Sequence, residues 1–171
     1  MHQLIRSFWA ICLLRAAPQD IPASPALAMA ALGAYLGSGT TLMLADSAPL
    51  TALAQVALDA AVLAVVTTVL LNLRRHPLRL TQTYTALVGS GTLLNLIALP
   101  ITLGLLSARG AGGEGGLFVM LWLVLLVWSL VVTGHIYRHA LDIPLPAGII
   151  IAMGYLMLIL ELTRQLFPVA E

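Results

Sequence analysis

Two acids and an arginine stand inside stretches that are otherwise apolar, and these are the residues best placed to do chemistry. Asp59 sits in Gln55-Val56-Ala57-Leu58-Asp59-Ala60-Ala61, and Glu161 in Ile159-Leu160-Glu161-Leu162-Thr163-Arg164. An acid at the centre of a membrane span costs roughly 2.5–3.5 kcal/mol on insertion scales, so it is either functional or neutralised by its neighbours. On the functional reading, Asp59 and Glu161 line a polar cavity that serves as a proton or ion path. On the plainer reading, Glu161 and Arg164 pair at i, i+3 on one helix face near its end. Asp59 is then protonated, or hydrogen-bonded to Asn95 or a threonine. The plainer reading is preferred, because one or two acids do not make a transport pathway.

His135 and His139 are spaced i, i+4, which puts two imidazoles on one helix face where they can hold a metal. A third ligand would be Asp142 or His76. The intervening Ile136-Tyr137-Arg138 lacks the glutamate that a His-Glu-x-x-His metalloprotease uses as its base. Haem ligation in a bundle needs facing histidines on different spans, and only this span carries any. The pair is read as interfacial histidines beside Tyr137 and Arg138, and no metal or cofactor is expected. Gly110–Gly116 is not followed by Lys and Ser/Thr, so it is no phosphate loop, and Gly37-Ser38-Gly39 is no nucleophile elbow. No catalytic residue is assigned.

Small residues form the other constellation. Gly33-x-x-x-Gly37 and Gly39 lie in one apolar stretch, and Gly89 and Gly91 in another. Small residues at this spacing let helix backbones approach closely in a membrane. They serve either an oligomer or partner contact, or, as the plainer reading has it, packing of the first span against the third or fifth.

The elements that must position these residues follow from composition. The chain of 171 residues is 60% hydrophobic and 9% charged. Its mean hydropathy is +1.01. Soluble domains carry roughly 25% charged residues, so this is an integral membrane protein and length allows one domain. A net charge of +1 argues against nucleic acid as a partner, and the single Cys12 leaves no intrachain disulfide. Every basic residue other than histidine is arginine.

A span takes about 20 apolar residues. Five stretches qualify, at about 25–45, 50–73, 85–106, 117–137 and 147–167. The expected fold is therefore all-α, a polytopic bundle of five transmembrane helices. Met1–Leu14 is read as a short interfacial helix with Phe8 and Trp9 at the headgroups, rather than a cleaved signal peptide. The uncharged stretch Thr83–Leu106, with Gly89, Ser90, Gly91, Asn95 and Pro100, suits the middle of the bundle. The fourth span, rich in bulky apolar residues, suits a lipid-facing or partner-facing position. Arg109–Gly116 is expected to be a flexible loop. Arg6, Arg15, Arg74, Arg75, Arg79 and Arg138 fall on one side, Arg109 and Arg164 on the other. By the positive-inside rule the amino terminus is cytoplasmic and the carboxyl terminus periplasmic, in a bacterial inner membrane. Gly37-Ser38-Gly39-Thr40 recurs as Gly89-Ser90-Gly91-Thr92 at an offset of 52 residues. That is either a degenerate hairpin repeat or the ordinary frequency of small residues in spans.

The short amino terminus, five closely spaced spans, small residues in the first and third spans, and the loop Arg74-Arg75-His76-Pro77-Leu78-Arg79 together resemble the bacterial members of the Yip family. The long amino-terminal region of the eukaryotic members is missing, so GTPase binding is not carried over. The resemblance implies a non-enzymatic membrane protein that acts through lateral contacts. The function expected first is an inner-membrane scaffold or accessory subunit, bound to a membrane-protein partner or to copies of itself in the lipid bilayer. The alternative is a small oligomeric transporter or channel-like protein using Asp59 and Glu161. A metal- or haem-binding enzyme using His135 and His139 comes third.

Overall fold

The computed structural model describes residues 2–110 and 115–168. Six α-helices account for its long elements: α1 His2–Cys12, α2 Pro25–Met43, α3 Pro49–Leu73, α4 Leu80–Gly110, α5 Gly116–Leu141 and α6 Leu145–Leu166. All but α1 are long and apolar enough to cross a membrane. Residues 111–114 of the glycine-rich connector expected over Arg109–Gly116 lie outside the described residues, while Arg109 and Gly110 form the last turn of α4 and Gly116 opens α5.

Local sequence explains where the helices start and stop. Ser24 caps α2 by accepting the Leu27 N–H at 3.3 Å, with Pro25 at the first helical position. Proline opens α3 (Pro49) and sits in the first turn of α6 (Pro146). Leu14, Arg75 and Asp142 take left-handed backbone angles just past α1, α3 and α5. Each stop is closed by a six-to-one hydrogen bond, such as His76 N–H to the Leu71 carbonyl at 2.8 Å. Non-glycine residues fill all three positions, and aspartate is the best suited of them.

The five long helices form a closed ring in the order α2, α4, α5, α6, α3, with α3 also touching α4 and α5 across the middle. The outer surface is apolar: Val65, Val69, Leu96, Leu103, Ile150 and Met157 are all exposed. The stretch singled out at 83–106 does lie centrally, and α4 is buried continuously from Thr85 to Ser90. At 31 residues α4 is about 46 Å long, beyond the roughly 30 Å hydrocarbon core. Pro100 faces outward and the helix continues past it.

Three expectations need correction. Phe8 is not at the headgroups: it turns inward over Gly89, where an added Cβ would fall within 2.2 Å of the ring. The fourth span does not face outward throughout. Leu117 and Val119–Val124 are exposed, but Gly134–Tyr137 are buried. Gly33 and Gly37 pack against nothing within the chain, since a Cβ at either would meet no atom within 4 Å. Gly39 and Gly91 do pack, against Val56 and Tyr35 respectively.

A backbone-to-backbone helix contact comes from two glycines outside that set. A Cβ on Gly148 of α6 would lie 2.2 Å from the Gly134 carbonyl oxygen of α5. Backbone cannot yield there, so the helices would have to separate. Gly148→Ala is expected to cost about 1–3 kcal/mol, read as a lower unfolding midpoint in detergent. Gly37→Ala should leave the midpoint unchanged or slightly raised.

Candidate functional site

Asp59 lies ten residues past the start of α3 (59 against 49), Tyr35 ten past the start of α2 (35 against 25), and Tyr155 ten past the start of α6 (155 against 145). Ten residues rise about 15 Å, half the roughly 30 Å core, so three mid-helix positions meet near one depth. The Tyr35 hydroxyl donates to one carboxylate oxygen of Asp59 and the Tyr155 hydroxyl to the other. The Tyr155 hydroxyl also lies 3.2 Å from the Asp59 carbonyl oxygen. Both oxygens of the acid are thus engaged as acceptors, which is how a carboxylate is satisfied away from water.

The pattern extends along α3. Tyr84 of α4 donates to the Ala60 carbonyl at 3.1 Å, and Tyr137 of α5 shares a 3.1 Å hydrogen bond with Thr67. The chain has four tyrosines. Each of the other four spans therefore sets one phenolic hydroxyl on α3.

A cavity of about 410 Å³ adjoins Asp59 between α2, α3, α4 and α6. Leu42, Val56, Ile159 and Leu160 make much of its wall; Gln55, Asn95, Thr163 and Ser47 add polar groups. Gln55 is one turn from Asp59 on α3, and Ser47 belongs to the turn between α2 and α3. The cavity thus runs from mid-depth toward the end of the bundle opposite Arg74–Arg79. A second space of about 200 Å³, lined in part by Tyr155, Ser129 and Thr133, lies beyond Tyr35 and Asn95, which border both. Asn95 sits in that partition with its amide N–H 3.4 Å from the Ser38 hydroxyl it donates to.

Glu161 is not at this cavity. It is exposed on α6, 3.6 Å from Arg164, and accepts a 2.7 Å hydrogen bond from Gln165. The geometry of that pair is the i, i+3 ion pair, and at such exposure it contributes little. Asp59 is therefore the acid of the site without Glu161.

The histidines are engaged elsewhere. His135 is buried, and its Nε2 lies 3.0 Å from the Ala16 carbonyl, so that nitrogen carries the proton. Its ring meets His139 edge-on at 4.6 Å. His76 and Arg79 both pair with Asp142, at 3.2 and 2.9 Å. Arg79 also donates to the His139 and Ala140 carbonyls, and Arg74 to those of Leu141 and Asp142. Two arginines thus cap the carboxyl end of α5, where the helix dipole favours cations. Gln19, Gln82 and Trp128 bind the amino-terminal segment to the same region through the His139, Ile21 and Cys12 carbonyls.

Sequence reasoning missed Tyr35 and Tyr155. A signal existed: tyrosines in spans concentrate at the membrane interface, so one at mid-span implies a buried acceptor, and Asp59 is at matching depth. Chemically, the site offers an oxygen-rich end wall, built from Asp59 and two phenolic hydroxyls, to a mainly apolar chamber. The chain matches no protein-family profile, no curated protein and no solved structure.

Hydrogen bonds within membrane bundles average about 0.6 kcal/mol and reach about 1.7, while those to charged groups run about 1.5–3. Tyr155→Phe is therefore expected to cost about 1–2 kcal/mol, and Tyr84→Phe, which loses only a carbonyl partner, about 0.6. Unfolding in a mixed-detergent titration, followed by tryptophan fluorescence, measures both. Equal losses would mean that the carboxylate adds nothing.

Proposed function

We propose that this protein is a small, non-enzymatic binding component of a bacterial inner membrane, of the carrier or channel-like kind, with Asp59 as its working residue. The observation that carries this reading is the chamber of about 410 Å³ ending on a mid-depth carboxylate. An intramembrane acid facing a cavity is the usual mark of a substrate or ion path. In this reading the Arg74–Arg79 end is cytoplasmic and the chamber opens to the periplasm, as the arginine count suggests.

A second reading keeps the scaffold or accessory subunit. It is favoured by the uncovered Gly33–Gly37 face of α2, which has the small residues that membrane helices use to pack. The Yip-like span plan and the Arg74–Arg79 loop fit either reading.

Water access separates them. Burial pushes the Cys12 thiol up to about 11, so at neutral pH almost none is thiolate, and the native cysteine should react at least a hundredfold more slowly than a free one, to order of magnitude. In a Cys12→Ser background, Gln55→Cys and Thr163→Cys are expected to react with a membrane-impermeant cationic methanethiosulfonate in proteoliposomes, while lipid-facing Leu158→Cys does not. Silence at both chamber positions would remove the binding reading and leave the scaffold.

A further inference from the structure

The chamber at Asp59 also has the chemistry to select its occupant, and this inference rests on the binding reading above. We propose that it binds a monovalent organic cation, an ammonium group with a compact apolar body, with the ammonium on the Asp59 carboxylate.

The sign of the charge comes first. Asp59 is the one ionisable acid on the wall, and no arginine or histidine lines it. An anion would meet an uncompensated like charge in a poorly screened interior, where such contacts are costly. A cation supplies what the site lacks, because the two phenolic hydroxyls satisfy the carboxylate oxygens without neutralising their charge.

The valence follows from the donor set. Calcium takes six to eight oxygen ligands and magnesium six, and one carboxylate leaves half of either ion's charge unbalanced. Among the described residues no group of three His, Cys, Asp or Glu side chains is placed to hold a metal. One carboxylate matches one positive charge.

The body of the ligand follows from the wall. A bare alkali ion could exchange its water for the oxygens of Asp59, Gln55, Asn95 and Thr163, but it would gain nothing from Leu42, Val56, Ile159 and Leu160, which make much of the wall. An organic ammonium keeps its charge at Asp59 and gains from burying carbon against those side chains, at about 25 cal/mol per Å². The neutral oxygens of Gln55, Asn95 and Thr163 remain to accept its other N–H groups. At about 410 Å³ the chamber is near the small end of ligand pockets, roughly 300–1,000 Å³, so the body is a single ring or a short branched chain.

The experiment uses the full chain in mild detergent and three probes of one shape: benzylammonium, benzyl alcohol and benzoate. Calorimetry and the shift in unfolding midpoint read binding. Benzylammonium is expected to bind saturably at neutral pH, at least about tenfold more tightly than the alcohol, as a charge-assisted contact should; benzoate should not bind. Asp59→Asn should erase the preference of amine over alcohol. Thr163→Trp fills the chamber and leaves the Asp59–tyrosine contacts in place, so it should abolish binding even if Asp59→Asn folds poorly. Equal binding of amine and alcohol, or a preference that survives Asp59→Asn, overturns the proposal. So does an Asp59-dependent rise in midpoint with sodium or potassium ions and none with benzylammonium. If no probe binds while Gln55→Cys is still labelled from water, the ligand class is wrong and the binding reading stands. If the label does not enter either, both fall.

Discussion

A carboxylate held at mid-depth by two phenols is the constraint on which the rest of this bundle depends. Placing Asp59 there costs roughly 2.5–3.5 kcal/mol on insertion scales, and hydroxyls from α2 and α6 offset much of it. The offset requires register. Tyr35, Asp59 and Tyr155 must reach one depth on helices that run in opposite directions, so α2 and α6 cannot slide along α3 without leaving the acid unsatisfied. Tyr84 and Tyr137 repeat the arrangement with α4 and α5. Apolar packing against lipid tails gives helices little reason to choose one axial alignment over another; directional bonds to α3 supply it.

The two ends of the bundle are unlike each other. At the Arg74–Arg79 end, arginine caps, Gln19, Gln82 and His135 join α5, α4 and the amino-terminal segment, and Ile11, Cys12 and Ile21 are buried beneath them. Gly134 and Gly148 bring α5 and α6 into backbone contact in the same half. The opposite half holds the chamber, reaching the turn at Ser47. A bundle tied by polar bonds at one end, with the Asp59 chamber at the other, suits access to that acid from one side, which is the arrangement the binding reading uses.

Much of this was legible in the sequence. Length and hydropathy were enough for five spans, because about 20 apolar residues in a row have few other uses. The central place of the 83–106 stretch followed from its small and polar residues. Asp59 stood out because charge at that depth is expensive. Other features were not legible. Which face of a helix looks inward depends on neighbours, so Gly33 and Gly37 read like Gly39 although one pair is bare and the other residue packed. Glu161 and Asp59 looked alike by residue count, and only helix rotation separates an exposed ion pair from a cavity wall. The arginines read as an orientation signal, and their role as caps on α5 needed the loop to be seen against that helix. Phe8 looked like an interfacial aromatic because its partner, a notch at Gly89, is eighty-one residues away (89 against 8).

The most direct test is a double-mutant cycle between Asp59→Asn and Tyr155→Phe, read as unfolding free energies in the same detergent. If the carboxylate and the phenol stabilise the bundle through each other, the two losses are strongly non-additive, with a coupling of about 1 kcal/mol or more. Additivity within about 0.3–0.5 kcal/mol would mean that the two groups merely sit close together, and Asp59 would lose its place as the organising contact of the fold.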